Sequence, residues 1–275
     1  MTSLALPFRA PASGLWDELH RRQPTLARFG AALLALTAIT LLLQAVDART
    51  LASGVNVWVK PAKFAFSLGV FTLTAGWFFG YMREERRGSA LMRGTVAVLL
   101  VSITLEYAYV LFQAAQAAES HFNFTSAFTS TMYGLMGLFA VLLTGTTLPM
   151  AWEIGRRPAP GLAPELRCAV VTGLLLTFLL GAGLGGYMSA QPGHSVGATG
   201  GAVPVFGWNR SGGDLRIAHF LGIHAEQAIP LLALLLAPLA PAVRRTGLIA
   251  GTAAYCALTF AIFAQAVSGR PLLPV

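Results

Sequence analysis

The sequence predicts an all-α, polytopic transmembrane protein of seven helices, N-terminus inside and C-terminus outside. Three observations lead there. Hydrophobic residues make up 55% of the chain and charged residues only 11%, for a mean hydropathy of +0.65. Apolar runs long enough to cross a hydrocarbon core of ~30 Å recur seven times, at roughly 27–46, 62–82, 91–117, 127–151, 167–189, 216–238 and 246–267. With the N-terminus inside, thirteen of the nineteen basic residues fall on the inner face: Arg9, Arg21, Arg22, Arg28, Arg83, Arg86, Arg87, Arg93, Arg156, Arg157, Arg167, Arg244 and Arg245. The net charge of +8 therefore reads as topology and headgroup contact, not as a nucleic-acid footprint. The connections are short, so residues 26–275 form one expected membrane domain behind an interfacial segment at 1–25.

In that segment Ser13 is placed to cap a short helix that rests Leu15, Trp16 and Leu19 on the inner interface. The run at 27–46 is read as a retained helix, not a cleaved leader, because 26 residues precede it and six further spans follow. Trp58-Val-Lys-Pro-Ala-Lys-Phe64 opens the second span, with Pro61 suited to a first helical turn. Lys60 and Lys63 are the only lysines. Either they snorkel to water or they bind an anion such as a carboxylate, phosphate or propionate. Gly69 and Gly76 suit close helix packing. Arg83 to Arg87 reads as a solvated loop.

The third span carries Glu106, Tyr109, Gln113, Gln116 and Ser120 at intervals of three and four, hence on one face. Glu106 falls ~20 Å from either end, near the midplane. A carboxyl there either hydrogen-bonds a neighbour or does functional work. Glu119-Ser-His-Phe-Asn123 brings His121 and Asn123 to the outer rim. In the fifth span Gly181, Gly183, Gly185 and Gly186 would let the helix approach a neighbour or bend. The glycine-rich stretch from Ser189 to Leu215 is the one long loop, and Phe206, Trp208 and two prolines favour a folded-back cap.

The sixth span holds Arg216, His219, His224, Glu226 and Gln227 behind Asp214 on one expected helix, with a kink possible at Pro230. Its polar arc is too wide to face lipid. The seventh span contains no lysine, which removes a retinal Schiff-base reading. Cys168 and Cys256 should sit ~15 Å apart in depth, so they read as packing residues.

Lys60-Pro-Ala-Lys-Phe64, Ser120-His-Phe-Asn123 and Gly212-Gly-Asp-Leu-Arg-Ile-Ala-His-Phe-Leu-Gly-Ile-His-Ala-Glu-Gln227 resemble an uncharacterised family of bacterial polytopic membrane proteins. The resemblance implies a bacterial inner membrane and a shared site from spans two, three and six. It implies no activity. Seven-helix ceramidase-like hydrolases are a poorer match, because their paired histidines with three residues between are missing.

Three functions fit this reading. The first is a membrane oxidoreductase holding haem or a transition metal (iron, copper or zinc), with His121, His219 and His224 as ligands. In it Glu106 and Glu226 pass protons. Lys60, Lys63, Arg216, Gln113, Gln116, Asn123, Asp214 and Gln227 would contact a small anionic or quinone-like ligand. The second is a proton-coupled transporter or ligand-binding receptor using the same carboxyls. The third is a non-catalytic membrane subunit.

Overall fold

In the computed structural model, which describes residues 14–274, the chain is all-α apart from one two-residue β-pair. Ser13 and Arg9 lie outside the described residues. Among the described residues six helices are long and apolar enough to cross a membrane, seven if one bent pair is a single span. The chain is a multi-pass membrane protein. By internal contacts it divides between Leu162 and Ala163 into two compact units.

The first unit begins with α1 (Leu15–Arg22) and α2 (Pro24–Val46), followed by α3 (Val59–Phe78) with a 3-10 turn at Phe79–Tyr81. After α4 (Glu84–Arg87) come α5 (Ala90–Ala115), α6 (Ala127–Gly145) and α7 (Thr147–Arg156). Local chemistry sets the starts. Pro24 is the first residue of α2, where its missing N–H costs nothing. Ser89 accepts from the Met92 amide to cap α5, and Ser126 and Thr129 form a reciprocal capping box on α6. Gly30 and Gly69 let α2 and α3 meet closely. A Cβ on Gly30 would lie 2.7 Å from Leu73, and one on Gly69 3.0 Å from Leu34.

Two carboxylates pin the arginine-rich parts of this unit. Glu18 receives Arg21 and Arg22, each at 2.7 Å; the Arg21 hydrogen bond holds its carboxyl below the ordinary value against the opposing push of burial. Glu153 receives Arg86 at 2.7 Å and Arg157 at 3.2 Å. The segment Arg83–Arg87 is thus more than a solvated loop, because Arg86 ties it to α7.

The second unit holds α8 (Pro164–Leu176), a π-helical turn at Thr177–Ala182 and α9 (Gly183–Ser189), which together form one span of 26 residues. Then come β1 (Ser195–Val196), β2 (Gly213–Asp214), α10 (Leu215–Ile223), α11 (Ala225–Leu236) and α12 (Pro241–Val267). β1 and β2 pair antiparallel, Ser195 opposite Asp214 and Val196 opposite Gly213. Where one helix was expected over the sixth span, α10 and α11 meet at a 58° bend, centred on His224 and not on Pro230. Glu165 faces Arg244 at 3.7 Å and Arg245 at 3.6 Å. Leu180, Leu184, Ile217, Ala218 and Ile262 form a core into which Trp208 and Cys256 pack. Cys256 is the packing residue expected; Cys168 is exposed.

Candidate functional site

The break in the second unit is built on both sides by residues that relieve it. In a continuous helix the Glu226 amide would donate to the Gly222 carbonyl and the Ala225 amide to the Leu221 carbonyl. Here the Glu226 N–H donates to Thr177 Oγ1 at 2.9 Å, and Tyr255 OH donates to the Leu221 carbonyl. Pro230 has no N–H for the Glu226 carbonyl and sits within α11, so the turn before it is already one bond short. The Glu226 amide thus finds a partner on the π turn, and the Leu221 carbonyl, which also accepts the His224 N–H at 3.2 Å, gains a second donor on α12.

Glycine makes this arrangement possible. A Cβ on Gly222 would lie 2.9 Å from the Gly181 nitrogen and from the Leu180 carbonyl carbon. One on Gly173 would lie 2.9 Å from the Ala225 carbonyl oxygen. One on Gly185 would lie 2.8 Å from the His219 ring. The π turn is therefore pressed against the α10–α11 break, backbone to backbone. Of the four glycines expected to loosen the fifth span, Gly181 and Gly185 make such contacts, while Gly183 and Gly186 face open space.

A polar chain runs through the break. His224 Nδ1 lies 3.2 Å from Gln227 Oε1, and Gln227 Nε2 donates to Glu226 Oε1 at 2.8 Å. An amide oxygen only accepts, so His224 carries its hydrogen on Nδ1. That leaves His224 Nε2 and Glu226 Oε2, both buried and without a hydrogen-bond partner. Glu226 is 0% exposed. The His224 ring rests on Phe220, centroids 4.3 Å apart. On α10, His219 Nδ1 lies 3.0 Å from the Gly181 carbonyl, which also fixes its hydrogen on Nδ1 and leaves Nε2 with the lone pair.

Asp214 and Arg216 are engaged in structure. Asp214 accepts from the Arg216 amide at 3.0 Å as the cap of α10. It also takes Arg216 Nε at 2.9 Å, Arg216 Nη2 at 2.6 Å and the Asn209 amide at 2.8 Å. Arg216 Nη2 further donates to the Gly207 carbonyl at 2.6 Å. Burial pushes the Asp214 carboxyl up, but the Arg216 hydrogen bonds and charge outweigh it and hold it below its ordinary value. The loop before it is folded. Phe206 stacks on Trp208 at 4.4 Å, and both rings face Phe220. Gly212 and Gly213 are obligatory there, since a Cβ on either would overlap the backbone of Ala198 or Ala266.

The remaining expected site residues lie in the first unit. Lys60 Nζ and Ser120 Oγ approach His121 Nδ1 at 3.1 and 3.2 Å. An ammonium can only donate, so this imidazole carries its hydrogen on Nε2. His121 also packs edge-on to Phe64 and Tyr133. Lys63 is half-buried one turn along. Gln113 donates to Tyr109 OH at 3.1 Å and to the Glu119 carbonyl at 3.0 Å, which puts Tyr109 and Gln113 on one face, while Ser120 lies beyond the end of α5. Gln116 is exposed at the end of α5. Asn123 donates to the Glu119 carbonyl and accepts from Thr125, so it holds its own loop. The cavity lined by Lys60, Glu119 and Ser120 measures ≈ 10 Å³, room for about one water. Glu106 is 6% exposed, with Oε1 buried and unpartnered.

Among the described residues no three His, Cys, Asp or Glu side chains are grouped to hold a metal ion. No family model, no curated protein and no solved structure matches the chain. The sequence reading missed Glu153 and Thr177. Glu153 lies 67 residues from Arg86, a pairing that no spacing rule announces, and Thr177 has no local signature.

Proposed function

We propose that the protein is a proton-coupled carrier of a small polar solute in a bacterial inner membrane, working at the α10–α11 break. One observation supports this above the others. The fully buried Glu226 carboxyl presents an oxygen without a partner where a candidate span is bent by 58°. Interrupted helices and mid-span carboxyls recur where membrane carriers bind solutes and protons. In this reading Glu226 Oε2 takes a proton as the solute binds and gives it up as the solute leaves. The Gln227 amide keeps Oε1 in place, and His224 Nε2 offers the solute an acceptor. Glu106 supplies a second proton-binding carboxyl in the first unit. The test is solute uptake by membrane vesicles under an imposed pH gradient, across a panel of amino acids, carboxylic acids and sugars. Gradient-driven uptake should be lost in Glu226→Gln; undiminished uptake by that variant would contradict the proposal.

The membrane oxidoreductase is the second reading, on one observation of its own. The His219 ring is oriented by a backbone carbonyl, as ligating imidazoles commonly are, with Nε2 bearing the lone pair. A Soret band or stoichiometric metal in the purified protein, lost in His219→Ala, would favour it over the carrier.

A further inference from the structure

A second site, independent of the carrier reading, lies in the first unit where α1, α3 and α4 meet. Arg22 lies flat on Trp77, its Cζ 3.9 Å from the ring centroid, with Tyr81 at 5.3 Å. Its Nη1 donates to the Trp77 carbonyl at 2.8 Å and its Nε to Glu18 at 2.7 Å. Gly80 makes room for it, since a Cβ there would lie 2.5 Å from Arg22 Nη1. Arg87 approaches the same glycine from α4, its Nη2 3.4 Å from the Gly80 carbonyl, while its Nε is buried without a partner. Arg21 shares Glu18 with Arg22 and is 62% exposed. Three guanidinium groups therefore gather on Glu18 and Gly80, with the exposed Glu84 near enough to act on Arg21 and Arg87. Two carboxylates against three guanidiniums leave positive charge over.

Gathered like charges cost free energy unless an anion joins them. Phosphate oxygens match guanidinium N–H groups in geometry and charge. Position decides the source of the phosphate. Leu15 and Trp16, at the start of the helix that carries Arg21 and Arg22, are 65% and 48% exposed. α3, which ends at this cluster, is a candidate membrane span. A short helix with exposed apolar residues and terminal arginines suits the interfacial plane, where phospholipid phosphates lie.

We propose that Arg21, Arg22 and Arg87, backed by Trp77 and Tyr81, bind the phosphate of one anionic phospholipid headgroup. The test uses the full-length protein in neutral detergent with phosphatidylglycerol carrying a photoreactive headgroup. Adducts are mapped by mass spectrometry, and retention is scored against phosphatidylcholine. Adducts should fall within Leu15–Arg22 and Phe79–Gly88, and excess inorganic phosphate at matched ionic strength should not compete them away. Arg21→Gln and Arg87→Gln should each cut phosphatidylglycerol retention about fivefold, whereas Arg83→Gln, at the exposed residue just before α4, should not. Adducts confined elsewhere, equal retention of both lipids, or unchanged retention in Arg87→Gln would overturn the proposal. Full competition by inorganic phosphate would overturn the lipid as its source. The photoadduct map needs only the wild-type protein, so the test survives a variant that does not fold.

Discussion

Glu153 and Glu226 are almost equally buried, at 1% and 0% exposure, yet their surroundings differ completely. Glu153 is bridged by Arg86 from one side and Arg157 from the other. Glu226 has a single neutral amide on one oxygen and nothing on the other. A carboxylate held by two guanidiniums is committed to structure. One with an unpartnered oxygen in an apolar interior carries a cost that folding alone does not explain. Burial therefore does not tell these two acids apart; their partners do.

The comparison breaks most decisively if exchanging each acid for its amide has the same effect. Glu226→Gln should abolish gradient-driven uptake while changing stability by less than about 1 kcal/mol, since only the neutral Gln227 amide bonds that carboxyl. Glu153→Gln should leave uptake per folded molecule intact and cost about 1–3 kcal/mol. That is less than a fully buried broken pair, because Arg86 and Arg157 remain 31% and 49% exposed. Thermal unfolding of both variants beside vesicle uptake reads the two effects apart.

Smaller changes sharpen the account of the break. Gly222→Ala should force the π turn and α10 apart, at about 1–3 kcal/mol and with lowered uptake. Thr177→Val keeps the shape but strands the Glu226 amide, and should cost about 1–3 kcal/mol in unfolding experiments. If Thr177→Val proves neutral, the hydroxyl is not what holds the break open.

The spans were legible from hydropathy, because a ~30 Å apolar core demands long apolar helices whatever else they do. Each helix or helix pair falls within a few residues of its expected run. The break was only half legible. Pro230 and the glycines from Gly181 to Gly185 announced irregularity, but its position depends on Thr177 and Tyr255 reaching in from other helices. Hydropathy cannot see such long-range contacts. The capping role of Asp214 was within reach, since an Asp directly before an apolar run is an N-cap signal, and Arg216 two residues on completes the pair.

The smallest expected effect concerns pH at that cap. The Asp214 carboxyl is held below its ordinary value in the folded chain. Its stabilising contribution is thus fully present above the unfolded carboxyl value of ~3.9 and is lost as pH falls through the lower folded value. Hydrogen exchange in the 194–215 loop should rise as pH drops below ~3.9, after correction for intrinsic rates. Asp214→Asn should flatten that dependence; an unchanged acid response would assign it to another group.

On the carrier reading Glu226 is chemically available and Glu153 is not. A hydrophobic carbodiimide, which modifies protonated carboxyls in apolar surroundings, tests it in wild-type membranes. Peptide mapping should find the adduct on Glu226 and leave Glu153 untouched. An adduct on Glu153 with Glu226 unmodified would contradict the account.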